Sequence, residues 1–218
     1  MKNKIIIIAL AVLGIALAIL AGVYFTKQKS SPINSLESAG QPDTTTITEG
    51  KASETQEGTK TVQLPNKLVT DDFSLDIPAG WIKAEPPVGA SAMAVNVKED
   101  LNDPAAKKIN FKSYFAVSYD VLQGKTMGEY VKTVKDGFVQ VIPGAVFTKD
   151  RDISVGGSPA HAMEAELTQQ GVNFKILMAV IAGEGEDVWI ISFNTAKSSW
   201  DGYKETFYGI VNSFILKK

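Results

Sequence analysis

Ile5 to Phe25 are 21 consecutive positions without a charge, and they follow directly on Met-Lys-Asn-Lys. At 1.5 Å rise per residue, about 20 such residues cross a hydrocarbon layer of about 30 Å as one helix. No other stretch approaches this length. The sequence therefore predicts a single membrane element, with residues 1–4 as a cytoplasmic tail and 5–25 as a transmembrane anchor. A cleavable signal is the competing reading, since such signals have an apolar core of about 7–15 residues before a small-x-small site. Ile5 to Ile15 followed by Ala16-Leu17-Ala18 supplies both parts, so cleavage would fall after Ala18. The chain beyond Ala18 stays apolar, and Tyr24 and Phe25 sit where aromatic rings favour the lipid–water interface. Those features favour retention. The chain has no cysteine, which excludes a lipidated one.

Lys2, Lys4 and the terminal amine precede the apolar run, and Lys27 and Lys29 follow it. The excess before the run, though small, favours a cytoplasmic N-terminus and an extracytoplasmic C-terminal bulk. The absence of cysteine fits that compartment, because nothing in the chain depends on its redox state. Residues 26–65 are rich in Ser, Thr, Gly, Gln and Glu, and their few apolar members have no period. Such a segment buries too little apolar surface to offset its ordering entropy, so a disordered tether is expected. Its root-mean-square reach is roughly 35 Å.

Residues 66–218 are long enough for one domain with a real core. The chain carries 22 basic and 24 acidic residues, for a net charge of −2, and has no basic stripe to suit a nucleic acid. Phe73 to Ile77 alternates apolar and polar as a half-buried strand does, and Met93, Val95 and Val97 alternate likewise. Tyr114 to Tyr119 is aromatic and β-rich. Thr126 and Glu129 have capping-box spacing, and the apolar steps Met127, Tyr130, Val131, Val134, Phe138 and Val141 predict a helix ended by Pro143-Gly144. Four β-rich runs follow, at Val146–Val155, Ala160–Gln169, Phe174–Ala182 and Val188–Thr195, joined by short Gly-bearing turns. They predict an antiparallel meander, and the last two, apolar throughout, should be central. Trp200, Tyr203, Phe207, Ile210 and Phe214 step by three and four as a final helix, with Ser198 and Asp201 at capping-box spacing. The expected fold class is α+β, an α/β/α sandwich with a central antiparallel sheet, and the domain is expected to be monomeric.

Three stretches together resemble the PsbP-like family, which includes PsbP, PsbP-related and DcrB-type proteins. They are Phe73-Ser-Leu-Asp-Ile-Pro-Ala-Gly-Trp81, Gly157-Ser-Pro-Ala160 leading into a strand with Glu164, and Val188 to Thr195 followed by Trp200-Asp-x-Tyr203 and Ile210 to Phe214. The matched positions are mostly packing positions and point to a fold more than to an activity. The resemblance implies a non-catalytic module that binds or stabilises a partner at a membrane surface. It does not by itself carry over the calcium and chloride retention of photosynthetic members.

Other residues weigh little as chemistry. His161 is the only histidine, and it alternates with Met163, Ala165 and Leu167 while Glu164 and Glu166 project to the opposite face. A structural role is expected for it. Glu99, Asp100 and Asp103 form one acidic loop, and Glu184, Glu186 and Asp187 another. Hard cations favour carboxylate oxygens, but neither loop has EF-hand spacing, and solvated turn charge is the expectation. Gly156-Gly157 lacks the following Lys and Ser/Thr of a phosphate loop. The sequence thus predicts no catalytic, cofactor or metal residues. It suggests an anchored, non-enzymatic extracytoplasmic domain that binds a protein or envelope partner. The alternative is an extracytoplasmic hydrolase, or a small-ligand or cation-binding protein, using carboxylates in a sheet-edge cleft.

Overall fold

The computed structural model describes residues 66–217. The tail, anchor and tether expected at 1–4, 5–25 and 26–65 lie outside the described residues. Among the described residues no helix is long and apolar enough to cross a membrane.

The chain runs through strands β1 (Asn66–Val69), β2 (Phe73–Ile77), β3 (Trp81–Ala84) and β4 (Ala92–Asn96), a short helix α1 (Pro104–Lys108), then β5 (Tyr114–Val121) and helix α2 (Met127–Val141). Next come β6 (Val146–Val155), β7 (Ser158–Gln169), β8 (Val172–Ala182) and β9 (Asp187–Ala196). A 3-10 turn (Lys197–Ser199), helix α3 (Trp200–Asn212) and β10 (Ile215–Leu216) close the chain. The result is a sheet-rich α+β fold with every strand pairing antiparallel.

Seven strands form the main sheet in the order β3-β4-β5-β9-β8-β7-β6. The meander from β6 to β9 appears as the glycine-bearing turns require. Gly156 and Gly157 both have positive φ, +59° and +87°, the conformation a two-residue hairpin turn needs when its twist matches the strands. At Gly183, a Cβ would lie 2.8 Å from Cβ of Asp187, so only glycine fits that turn. β8 and β9 are central and buried on both faces, which explains why their sequences are apolar without alternation.

Each face of this sheet carries its own core. On one face Tyr130, Val131, Val134 and Phe138 of α2 pack with Met93, Tyr114, Met163, Ile176, Met178, Val180 and Ile190. On the other, Trp200, Phe207, Ile210 and Val211 of α3 pack with Phe115, Leu177, Ile181, Trp189, Ile191 and Phe193. Strand parity separates the two sets.

Two expectations are corrected. A single central sheet was expected, but β2 belongs to a separate three-stranded sheet, β1-β2-β10, which shares the α3 face. The turn at Pro78–Gly80, closed by the Trp81 amide donating to the Pro78 carbonyl at 3.1 Å, separates β2 from the main sheet. Both edges of β2 are then covered, by β1 before it and β10 from the chain's end. Secondly, the capping box expected at Ser198 and Asp201 does not form. The 3-10 turn runs straight into α3, and Ser199 already has helical backbone angles and makes no side-chain cap. A capping side chain works from extended backbone, which Thr126 has. At α2 the capping box is complete, with Thr126 Oγ1 accepting from the Glu129 amide at 3.3 Å and the Glu129 carboxylate accepting from the Thr126 amide at 2.9 Å.

Candidate functional site

Among the described residues, ionisable side chains of interest lie at four places, two on the β6–β8 register and two in loops. The first surrounds His161. Register pairs Asp152 of β6 with His161 of β7. Nδ1 of His161 lies 2.7 Å from Oδ1 of Asp152, and Nε2 pairs with Asp150, whose other oxygen pairs with Lys135 of α2. Burial opposes ionisation of Asp150, but hydrogen bonds from Lys135 and His161, with their charges, outweigh it and lower its pKa. Both ring nitrogens are engaged by carboxylates, leaving neither for a substrate. The sequence placed Glu164 and Glu166 on the other face correctly. It missed these partners, because only the β6–β7 register reveals them.

The second place lies beneath α3, where Glu164 is almost wholly buried at 1% exposure. The Tyr208 hydroxyl donates to it at 3.0 Å, and Lys175 and Lys149 pair with it at 3.2 and 3.5 Å. Lys175 also pairs with Glu166 at 3.1 Å, and Lys197 holds the other Glu166 oxygen at 2.6 Å. The Lys197 hydrogen bond is the main cause of a lowered Glu166 pKa. Burial, then the Glu164 charge, raises that of Tyr208. A buried carboxylate matched by two ammonium groups and a phenol is a closed ion network.

The third place holds the first acidic loop, whose carboxylates separate. Glu99 is buried and accepts from the Ser113 amide at 2.5 Å and its hydroxyl at 2.8 Å, with Thr195 next in the chain at 2.7 Å. Burial and Glu99 push the Tyr203 phenol up to about 12. Asp103 caps α1, accepting from the Ala105 and Ala106 amides at 2.9 and 3.0 Å, and Asp100 pairs with Lys107 at 3.1 Å.

The second acidic loop is the β8–β9 turn. There Glu186 accepts from the Gly124 amide at 2.9 Å, and Asp187 from the Tyr119 hydroxyl at 2.7 Å. These contacts pin the loop between β5 and α2. Among the described residues, no three His, Cys, Asp or Glu side chains are grouped to hold a metal ion.

A different kind of site lies at the β3 edge. Ile82, Ala84, Met93, Val95, Val97, Asn110, Lys112 and Tyr114 line a cavity of about 240 Å³. It is predominantly apolar and was not foreseen, because it arises where two short strands outrun the helix that covers the rest of that face.

No protein-family model and no curated protein sequence matches the chain. Solved structures do. A Pseudomonas aeruginosa protein, PA94, described as a putative regulator, is 17% identical and covers 71% of this chain and 98% of its own, with a TM-score of 0.50. LpqN of Mycobacterium tuberculosis is 13% identical and covers 72% of this chain and 88% of its own, also at 0.50. The domain has a PsbP-like fold. A cyanobacterial PsbP from Synechocystis is 18% identical over 73% of this chain and 98% of its own, at a TM-score of 0.49. At these identities the PsbP-like assignment concerns architecture, and activity has to be argued from the residues themselves.

Proposed function

We propose that the chain is a membrane-anchored, non-catalytic extracytoplasmic domain that binds or stabilises a protein or envelope partner. The observation that carries this reading is the uncharged run Ile5–Phe25, joined by a polar segment of about 40 residues to a folded unit beginning at Asn66. That layout suits a domain held near a membrane with freedom to reach a neighbour. The chemistry of the folded unit agrees. His161 and Glu164 are each engaged in ion pairs, and Glu99, which accepts from the Ser113 hydroxyl, is buried together with Ser113 and Thr195 away from the surface a substrate would approach. LpqN, whose structure is described as involved in cell envelope biogenesis, supplies a precedent for such a fold in an envelope setting.

The test uses single cysteines at Ser38→Cys or Ser53→Cys in a chain with no native thiol. An impermeant maleimide should label both in intact cells, and the labelled protein should stay with membranes after a carbonate wash. Labelling only after lysis would reverse the orientation, and labelled protein in the soluble fraction would mean cleavage. Deleting the gene should sensitise the envelope to detergent. Unchanged tolerance would count against an envelope partner.

A further inference from the structure

β3 is the edge of the main sheet opposite β6, and among the described residues no strand pairs with its outer side. Backbone groups of an antiparallel strand point alternately to one neighbour and the other. The Asn96 amide donates to the Ser113 carbonyl, on the β5 side, at 2.9 Å. Trp81, opposite Asn96, directs its amide to the Pro78 carbonyl at 3.1 Å rather than to β4. The backbone groups of Trp81 therefore turn away from β4, and by alternation so do those of Lys83 and Glu85. No turn or loop hydrogen bond among the described residues takes up the groups of Lys83 or Glu85. Both side chains are exposed, and neither enters a salt bridge among the described residues. An edge in this state is a template for another strand.

The edge is complementary to itself. In a two-fold antiparallel pairing, residues with outward backbone groups oppose each other, so the axis passes through a residue. An axis on Lys83 or on Glu85 sets like charges against each other, which disfavours pairing. An axis on Ile82 sets Lys83 against Trp81, whose amide is already engaged. With the axis on Ala84, Lys83 of each copy faces Glu85 of the other. Opposite charges then sit on a pair that exchanges both backbone hydrogen bonds. Ile82, half exposed, comes opposite Pro86 on the cleft face, beside Val95 and Val97. Pro86 turns its nitrogen toward β4 by the same alternation, so its missing N–H is not needed at the seam. Pro87 is the outward one, and it ends the pairing.

We propose that the β3 edge pairs with the β3 edge of a second copy of this chain about a two-fold axis through Ala84. Each copy has one such edge, so association closes at a dimer. A seam of so few residues falls below the about 1,200 Å² of lasting complexes, and the dimer is therefore weak and forms as concentration rises. This departs from the monomer expected from the sequence. It requires neither the anchor nor an envelope partner, so the function proposed above stands or falls separately.

A chain with no native cysteine makes the register directly measurable. Ala84 would oppose its own copy in a non-hydrogen-bonded pair, with Cα atoms about 4.5 Å apart. That lies within the about 4.4–6.8 Å that a disulfide spans. Ile82 would lie about 14 Å from its copy, the length of four residues along a strand. The full-length Ala84→Cys protein, in detergent micelles and oxidised with diamide, should form a disulfide dimer on non-reducing gels. Its yield should rise with protein concentration and exceed that of Ile82→Cys several-fold. Adding Lys83→Glu should lower the yield to the Ile82→Cys level, and adding Glu85→Lys as well should restore it. Equal yields from Ala84→Cys and Ile82→Cys would overturn the proposal. So would a yield indifferent to Lys83→Glu, or one that the second charge change does not restore. The comparison of the two cysteine positions decides alone if a charge variant fails to fold.

Discussion

Asp150 is the residue at which charge and pH are most directly linked. Its folded pKa is depressed, so by linkage its contribution to stability is present above the unfolded value of about 3.9 and is lost as pH falls through the folded one. Asp150→Asn should therefore destabilise the protein at neutral pH. The difference from the parent should vanish as the solution is acidified below about pH 4, as urea titrations across that range would show. A gap that persists in strong acid would mean the Asn side chain disturbs packing. His161→Ala should cost under about 1 kcal/mol, as partly exposed ion pairs do, since Asp152 is almost fully exposed and Asp150 keeps Lys135. Phe207→Ala should cost about 3–5 kcal/mol, because its ring is fully buried and stacks on Phe193 at 4.8 Å and on Tyr203 at 5.5 Å. Denaturant midpoints would rank the two, and a Phe207→Ala cost below that of His161→Ala would undo this account of the α3 face. The weight of Phe207 was legible in helical spacing alone. The partners of His161 were not, since they depend on which residue of β6 lies opposite which residue of β7.

Elements with strong local signals were legible, and those defined by long-range closure were not. α2 has a complete capping box and a buried stripe, and the β6–β9 hairpins have glycine turns, so each is encoded within a few residues of itself. β1 and β10, four and two residues long, exist because β2 offers them an edge, and no pattern of so few residues announces a strand. α1 is a single short turn of helix capped by Asp103, too brief for a period. β6 shows another consequence of placement. It is an edge strand of ten residues, mostly exposed, with Lys149-Asp150-Arg151-Asp152 at its middle. In symmetric antiparallel pairing with a second copy, residues of equal parity oppose each other. Centring on Asp150 sets Lys149 against Arg151, and centring on Arg151 sets Asp150 against Asp152. Like charges directly opposed disfavour both registers. Replacing Asp150, Arg151 and Asp152 together by Thr should promote concentration-dependent association in sedimentation velocity. If this triple variant sedimented like the parent at all concentrations, the charges would not be what protects the edge.

For the whole molecule, the decisive feature is that the two ends of the described chain meet. β1 opens the described residues at Asn66, β10 ends at Leu216, and both pair with β2, while the Lys217 amide donates to the Asp72 carbonyl at 2.8 Å. The three-stranded sheet thereby closes the α3 core, placing Leu68, Phe73, Leu75 and Phe214 against Trp189 and its neighbours. Phe214 is fully buried although it lies past the end of α3, so the last residues contribute packing as well as strand pairing. A fragment of residues 66–218 should consequently retain the entire closure and melt in one cooperative transition without the preceding segment. Ending the same fragment at Ser213 removes Phe214 and the β10 pairing and leaves Phe73 beside a void. Loss of a buried aromatic costs about 3–5 kcal/mol against a total of about 5–15 kcal/mol, so the shortened fragment should melt far lower or not fold. Calorimetry on the two fragments distinguishes the cases. Two separate transitions in the 66–218 fragment would mean that the small sheet is an appendage, and a shortened fragment as stable as the longer one would mean that the chain's end plays no part in closing the core.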